Sequence, residues 1–182
     1  DLRKALVQFH KGNAVIFEWA NSPVVYKTTK EWEEIYECCG QYFSEKAALY
    51  HYYGTANSTY RQYLQGSEVR YKKYIYALRP LLACRYVEHN HAVPPVRFEE
   101  LLKQELPGEL TDKIGEMLAK KAESDERDMN PRIPVIQRFI EDEIARYGQI
   151  SKEMADDRNP GWEALDGIFL RIVGVDGIGD IK

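Results

Sequence analysis

Residues 44–88 carry the pattern that decides the fold, and they read SEKAALYHYYGTANSTYRQYLQGSEVRYKKYIYALRPLLACRYVE. Apolar and aromatic residues recur there every three or four positions, the spacing of one helix face. Ser44 is a favourable N-cap, so we predict a first helix that ends near Leu64, before Gly66. A second helix is predicted over 68–88. The apolar face of the first helix is expected to contain Leu49, Tyr53, Ala56, Tyr60, Tyr63 and Leu64.

Two long helices joined by so short a turn are expected to pack antiparallel. We therefore predict that 44–64 and 68–88 form the centre of an all-α fold, an antiparallel helical bundle. Pro80 lies inside the second helix and removes one backbone donor, so we expect a kink there.

Helix signals continue on both sides of this central pair. Asp1 is a favourable N-cap and Gly12 a stop signal, so a helix is predicted between them, and Thr29 caps another. Between those two helices, Val24–Tyr26 are predicted as a short extended piece. Downstream, apolar periodicity predicts short helices through Phe98–Leu102 and Leu110–Leu118, longer ones after Pro134 and Pro160, and a charged, solvated loop over Lys120–Asn130.

Composition describes an ordinary globular chain. The 182 residues are 44% hydrophobic and 30% charged, and no apolar run reaches the roughly 20 residues that cross a bilayer. We expect a cytoplasmic protein with no membrane association. The net charge of −4 argues against a nucleic-acid binder that relies on overall charge, although a local basic stripe can still hold phosphate. The three cysteines match neither a disulfide framework nor a zinc motif.

One basic and aromatic stripe lies on the second long helix. At about 100° per residue, Lys72, Tyr76 and Arg79 fall on one narrow face, and Lys73 lies beside them. Lysine and arginine hold phosphate oxygens, and a tyrosine ring can stack on a base. The alternative is an exposed helical face without a ligand. His51, on the first long helix, is a further candidate phosphate donor, acid or base.

Motifs for catalysis by the chain alone are absent from the sequence. It has no phosphate-binding glycine loop, no Gly-x-Ser-x-Gly and no His-Glu-x-x-His. Two groups of carboxylates are possible metal ligands, but runs of charge in loops are typically solvated, so no metal site is predicted. They are Asp125, Glu126 and Asp128, and Asp156 and Asp157.

Several of these segments together resemble one enzyme family. They are Asp1–Leu6, Asn13 with Glu18–Trp19 and Ser22–Pro23, Ser44 with Lys46 and Tyr50–Tyr52, Lys72–Ala83, and Pro94–Pro95 with Phe98 and Leu101–Leu102. The chain resembles the part downstream of the catalytic domain in a predicted nucleotidyltransferase family of the DNA polymerase beta superfamily, associated with bacterial and phage RNA repair. The resemblance is strongest over 1–106, and Lys73–Ala83 is its most specific part.

The resemblance implies that the catalytic carboxylates lie on an N-terminal catalytic domain missing from this chain, so no catalytic residue is predicted here. It implies Mg²⁺ or Mn²⁺ and a nucleoside triphosphate for the complete enzyme, with RNA as a possible acceptor. It also implies that Lys72, Lys73, Tyr76 and Arg79 contact the nucleotide, with His51 as a further candidate. We predict three parts: 1–28 as the end of the nucleotidyltransferase core, 29–173 as a helical bundle that binds substrate, and 174–182 as a flexible tail.

Two alternatives of other classes stay open. Arg85 and His91 have the spacing of an Arg-x(4 to 6)-His motif in helical ribonucleases of the HEPN type, which cleave RNA without a metal. Arg85 falls on the apolar side of its helix, which favours a structural pairing instead. The other alternative is a non-catalytic interaction bundle.

Overall fold

A computed structural model describes residues 1–123, 125 and 128–175. Over those residues the chain is mainly helical. The helices are α1 (Leu2–His10), α2 (Ala14–Ala20), α3 (Lys30–Cys39), α4 (Glu45–Tyr63), α5 (Tyr71–Asn90), α6 (Phe98–Leu101), α7 (Gly108–Glu123), α8 (Pro134–Glu153) and α9 (Glu163–Ile172). A 3-10 turn covers Gly40–Tyr42, and two short strands, β1 (Glu68–Val69) and β2 (Asn130–Pro131), pair antiparallel. None of the helices in the described part of the chain has the length and apolar character to span a membrane.

Helices α4 and α5 form the predicted antiparallel pair at the centre of the fold. The Lys73 Nζ lies 3.6 Å from the centre of the Tyr63 ring, where the two helices join. Farther along the pair, the Cys84 thiol lies 3.8 Å from the carbonyl oxygen of Leu49. Residue numbers along α5 increase from the first contact to the second, whereas those along α4 decrease. The two helices therefore run antiparallel.

Helix α8 completes the centre by packing on both α4 and α5. The Tyr60 hydroxyl donates to Glu141 at 2.7 Å, and the Lys46 ammonium donates to the carbonyl of Met154 at 2.6 Å, so α8 runs antiparallel to α4. The apolar side chains between these helices, with α6 and α7 beside them, form the central cluster. Its largest fully buried members include Tyr52, Tyr74, Tyr147, Leu49, Leu78, Leu81 and Leu82.

A second hydrophobic cluster, which we call the terminal cluster, joins α1, α2, α3 and α9. Its buried residues are Leu6, Phe9, Ile16, Phe17, Ile35, Cys39, Tyr42, Leu165 and Ile168. Helix α9, the last in the described chain, therefore packs beside the first. The predicted division at residue 28 stays a prediction, but the terminal cluster crosses it because it includes α3 and α9.

Local end signals were predicted well. The side chains of Asp1, Asn13, Thr29 and Ser44 each accept a hydrogen bond from a backbone N–H in the first turn of the helix that follows. Gly12 ends α1 with a φ of 64°, a conformation in which glycine has no steric cost. An added Cβ there would lie 2.8 Å from the Cβ of Ser44, so close packing also requires this glycine.

Four expectations need correction. Helix α5 begins at Tyr71 rather than Glu68, because Glu68–Val69 pair with Asn130–Pro131 as strands. The segment 120–130 is not entirely a loop, because α7 continues to Glu123 and β2 begins at Asn130.

The other two corrections concern side chains and a loop. On α4, Leu49, Ala56 and Leu64 are buried as predicted, and Tyr53 and Tyr60 pack partly buried against the core. The exception is Tyr63, which is 48% exposed, while Tyr52, outside the predicted face, is buried. Val24–Tyr26 form no strand and expose their side chains to solvent. Helix α5 is continuous through Pro80. The prediction of a flexible tail falls, for residues 176–182, outside the described residues.

Candidate nucleotide-binding face

The N-terminal turn of α5 concentrates positive charge. Its N-cap is Arg70, which makes no capping hydrogen bond through its side chain. Lys72 and Lys73 follow in the first turn, which itself contains no acidic residue. The N-terminus of a helix already carries the positive end of the helix dipole, so cations there are unfavourable unless an anion is bound. The sequence pattern indicated both lysines but not Arg70, although its place at the helix start is a signal for it.

Two tyrosine rings surround the ammonium group of Lys73. Its Nζ lies 3.6 Å from the ring centre of Tyr63 and 5.3 Å from that of Tyr76. The Nζ of Lys72 lies 5.8 Å from the same Tyr76 ring. Such cation–π contacts hold an ammonium group in place without neutralising its charge. Tyr63 and Tyr76 are 48% and 46% exposed, so both rings also have a face toward solvent.

Arg79 lies at the end of this face and has two structural partners. Its Nη2 donates to Glu18 of α2 at 2.9 Å, and its Nε donates to the carbonyl of Val96 at 3.1 Å. The guanidinium thus joins α5 to α2 and to the loop before α6. The structure places Arg79 on the predicted stripe, but its donors on these atoms are already used.

A buried tyrosine hydroxyl lies close to this ion pair. Tyr52 is 2% exposed, and its hydroxyl has no hydrogen-bond partner among the described residues. Burial, followed by the nearby charge of Glu18, raises the pKa of this hydroxyl. Tyr52 therefore stays neutral beside the Glu18–Arg79 pair.

His51 lies on α4 but apart from the α5 stripe. It precedes Tyr63 by twelve positions, which corresponds to about 18 Å along a helix and about 120° around it. Its ring packs on that of Tyr52 at a centre-to-centre distance of 5.3 Å, and it lines a shallow groove on α4 with Tyr50 and Thr55. The structure thus shows His51 and the lysines as two separate surface features.

The residues of the ribonuclease alternative have separate partners. The Nη1 of Arg85 lies 3.5 Å from Glu143 of α8, whereas the Nδ1 of His91 lies 3.0 Å from Glu45 of α4. Arg85 therefore makes the structural pairing that its position on the apolar helix side indicated. No contact between Arg85 and His91 is found in the described part of the chain.

A partly buried ionic network around Arg85 and Glu143 connects α5 to α8, and the sequence pattern did not predict it. Arg146 forms an ion pair with Glu88, which also accepts a 2.8 Å hydrogen bond from the Tyr147 hydroxyl. Burial works to raise the pKa of Glu88, but the bonds from Arg146 and Tyr147 outweigh it and leave the pKa below its usual value. For Glu143, burial outweighs the attraction of Arg85 and Arg146, so its pKa is raised.

The described ranges, 1–123, 125 and 128–175, contain no group of three or more His, Cys, Asp or Glu residues placed to hold a metal ion. Asp156 and Asp157 illustrate why. Asp156 is paired with Arg158, and Asp157 accepts from the Ser44 hydroxyl at 2.5 Å and from the backbone N–H of Glu45 at 2.7 Å. Both carboxylates are therefore engaged in structural contacts.

Comparison with known proteins places this geometry in context. A family profile described as RlaP, the RNA repair pathway DNA polymerase beta family, matches residues 1–171. A protein of Bacillus subtilis (strain 168), named "Uncharacterized protein YcgL", is 35% identical over 175 residues, which cover 95% of this chain and 67% of that protein. No solved structure gave a significant match.

Proposed function

Because this chain belongs to the RNA repair pathway DNA polymerase beta family, we propose that it provides the phosphate-binding helical face of a nucleotidyltransferase. The ligand of this face is the triphosphate of a nucleotide. The contacts come from Lys72, Lys73 and Tyr76 of α5. Arg79 acts from the end of the stripe, where Glu18 holds it in position.

The observation that supports this proposal best is the charge at the start of α5. Arg70, Lys72 and Lys73 lie at the positive end of the helix dipole, and the first turn itself contains no acidic residue. A phosphate group at this end would interact favourably with both the dipole and the side chains. This end of α5 therefore favours the binding of an anion.

The aromatic partners make the same face suitable for a nucleotide rather than for an isolated phosphate. Tyr63 and Tyr76 flank the Lys73 ammonium and expose their rings. An exposed ring can stack on a base, while the adjacent ammonium holds phosphate oxygens. The role of these residues is to bind and orient the triphosphate so that its reacting phosphorus is in line for displacement.

The chemical step requires groups beyond this face. In such enzymes, carboxylates with a divalent metal activate the attacking hydroxyl and stabilise the leaving pyrophosphate. We propose that a polypeptide region carrying those carboxylates acts together with this chain. The chain alone is then expected to transfer no nucleotide to RNA in the presence of Mg²⁺ or Mn²⁺, and robust transfer by the pure chain would refute that expectation.

Binding of ATP to the chain tests the face directly. We expect Lys73→Ala to raise the Kd for ATP about tenfold, since a charge-assisted phosphate contact contributes roughly 1.4 kcal/mol. Isothermal titration calorimetry at constant ionic strength measures the change. Lys152→Ala, at an exposed position in the last turn of α8, is the matched control and should change the Kd less than about twofold. Equal effects of the two substitutions would contradict the proposal.

A further inference from the structure

The segment 24–28, between α2 and α3, is a loop with the composition of a β-strand. It reads VVYKT, and four of its five residues are of the β-branched or aromatic types that favour strands. Val24, Val25 and Tyr26 are 61%, 66% and 97% exposed, and Trp19, at the end of α2, is 71% exposed. Large apolar side chains exposed so close together are typical of a contact surface.

The backbone of the segment has few partners in the described part of the chain. Val24 bonds only locally, to the Ser22 hydroxyl, and no hydrogen bond of the backbone of residues 25–28 is found among the described residues. Open N–H and C=O groups on strand-forming residues are a template for pairing with another strand. The loop bends at Tyr26, so such pairing would straighten it.

Both faces of this strand would be apolar. Side chains alternate along an extended chain, so Val24 and Tyr26 would lie on one face and Val25 on the other. Pairing with the same segment of a second copy would give two strands with both faces in water, and an isolated two-stranded pair is marginally stable at best. A larger sheet, packed against helices, would bury both faces. The segment therefore fits the edge of a sheet of several strands.

Such a sheet is not found within residues 1–123, 125 and 128–175, where the strands β1 and β2 have two residues each. The Bacillus subtilis protein offers a source, because its match to this chain covers 67% of its length and leaves about a third outside. The proposed function also requires a polypeptide region beyond this chain, the one that carries the carboxylates. That region is the partner that fits the segment best.

The segment lies near the Arg79 end of the triphosphate face. Glu18 of α2 accepts from the Nη2 of Arg79 at 2.9 Å. Pro23 lines a shallow groove with Val96, whose carbonyl accepts from the Nε of the same guanidinium at 3.1 Å. A sheet that pairs with residues 24–28 would therefore lie close to the end of the stripe that holds the triphosphate.

We propose that residues 24–28 add as a strand to the edge of a β-sheet in the region that carries the carboxylates. Backbone hydrogen bonds supply the affinity, and Val24, Val25 and Tyr26 supply the apolar contacts on the two faces. The pairing fixes the carboxylates relative to the triphosphate. The inference deepens the proposed function and rests on it for the identity of the partner.

Hydrogen–deuterium exchange of two whole proteins, this chain and the Bacillus subtilis protein, tests the pairing. In this chain, the amides of residues 25–28 should exchange at the intrinsic rate of their sequence. In the Bacillus subtilis protein, alternate amides of the aligned segment should exchange at least about tenfold more slowly than their intrinsic rate, because the strand must open first. The exposed loop 155–158 is the reference and should be similarly unprotected in both proteins.

Proline substitution separates pairing from folding, because proline has no N–H donor. The double variant Val25→Pro, Tyr26→Pro of this chain should shift the Tm by less than about 2 °C, since neither donor is bonded within the described chain. At the aligned positions of the Bacillus subtilis protein, the same change should remove the exchange protection, because one of two adjacent N–H groups points to the neighbouring strand. Ala155→Pro, in another exposed loop, is the control and should leave that protection unchanged.

Three results would overturn the proposal. Unprotected exchange of the segment in both proteins would show that no strand is added there. Protection in this chain alone that increases with its concentration would assign the segment to a second copy. A large loss of Tm in the proline variant of this chain would show that the segment is bonded within it. These measurements use no ATP, and the Lys73→Ala titration involves no strand pairing, so failure of one proposal is distinguishable from failure of the other.

Discussion

The two halves of α5 use the same kinds of residue for different purposes. In the N-terminal half, the described contacts of Lys73 are with two tyrosine rings. In the C-terminal half, Arg85 and Glu88 face Glu143 and Arg146 of α8. The N-terminal half places the Lys73 charge against half-exposed tyrosine rings, and the C-terminal half uses charge to connect helices.

The difference follows from what packs on each half. Helix α8 and the connection from α6 to α7 cover the C-terminal half, so a charge placed there must find a partner or remain partly desolvated. The N-terminal half is bordered by the half-exposed rings of Tyr63 and Tyr76, and its lysines are themselves partly exposed. Substitutions in the C-terminal half should therefore change stability, and those in the N-terminal half should change binding.

The largest expected effect comes from Glu143, the 10%-exposed partner of Arg85. We expect Glu143→Ala to lower the free energy of unfolding by about 3 kcal/mol, because it leaves the guanidinium partly buried without its carboxylate. Urea denaturation followed by circular dichroism measures this change.

The matched control replaces both partners with apolar residues of similar size. The double variant Arg85→Met, Glu143→Leu should recover stability to within about 1 kcal/mol of the original chain, because no charge is left unpaired. If the double variant is as unstable as Glu143→Ala, packing rather than charge explains the loss.

A smaller effect is expected from Glu18, where the two halves of α5 meet. Glu18→Ala removes the 2.9 Å bond to Arg79 and should cost about 1.5 kcal/mol of unfolding free energy, since both side chains are partly buried. Thermal unfolding at several scan rates measures the shift. Trp19→Ala, at the adjacent, exposed position, should cost less than about 0.5 kcal/mol, and a similar loss at both positions would argue against a specific role of the ion pair.

In the N-terminal half, Lys73→Ala should change the free energy of unfolding by less than about 1 kcal/mol, the size of an exposed cation–π contact. The same denaturant series measures it. Together with the tenfold loss of ATP affinity expected above, this would separate binding from stability. A loss as large as that of Glu143→Ala would show that the contrast between the two halves is wrong.

The smallest expected effect concerns pH. The pKa of Glu88 is lowered in the folded state, so its contribution to stability is present above its unfolded pKa of about 4.3 and is lost as pH falls through the folded pKa. The pKa of Glu143 is raised, so folding binds protons and stability falls as pH rises through its range. Each effect should amount to less than about 1 kcal/mol.

Two matched variants check these signs. Glu88→Gln should reduce the loss of stability that occurs as pH falls through the folded pKa of Glu88. Glu143→Gln should reduce the loss of stability that occurs as pH rises from the unfolded pKa of Glu143 toward its higher folded pKa. Unfolding free energies measured between about pH 2 and pH 7 provide the test. Changes of the same sign in the two variants would contradict the assignments.

Much of the fold could be predicted because its signals are local. Caps at Asp1 and Ser44 depend on neighbouring residues alone, and the stripe from Lys72 to Arg79 depends only on helical periodicity. Likewise, the short turn between the long helices was enough to predict their antiparallel packing.

The partners of individual charges could not be predicted, because tertiary packing selects them. Arg79 pairs with Glu18, which precedes it by 61 positions, and Arg85 pairs with Glu143 on a helix much later in the chain. The same limit applies to β1 and β2, since two-residue strands leave no periodic pattern. The position of α9 beside α1 likewise has no local signal.

The return of α9 to the start of the chain also has a consequence for folding order. The His10 ring stacks on Trp162 at 3.7 Å, and its Nε2 lies 3.2 Å from the carbonyl of Pro160, 150 positions away. Contacts between α4 and α5 close only a short loop, so we expect that hairpin to form early. During synthesis, α1–α3 would emerge first yet complete their hydrophobic cluster last, once the ribosome has released the residues of α9.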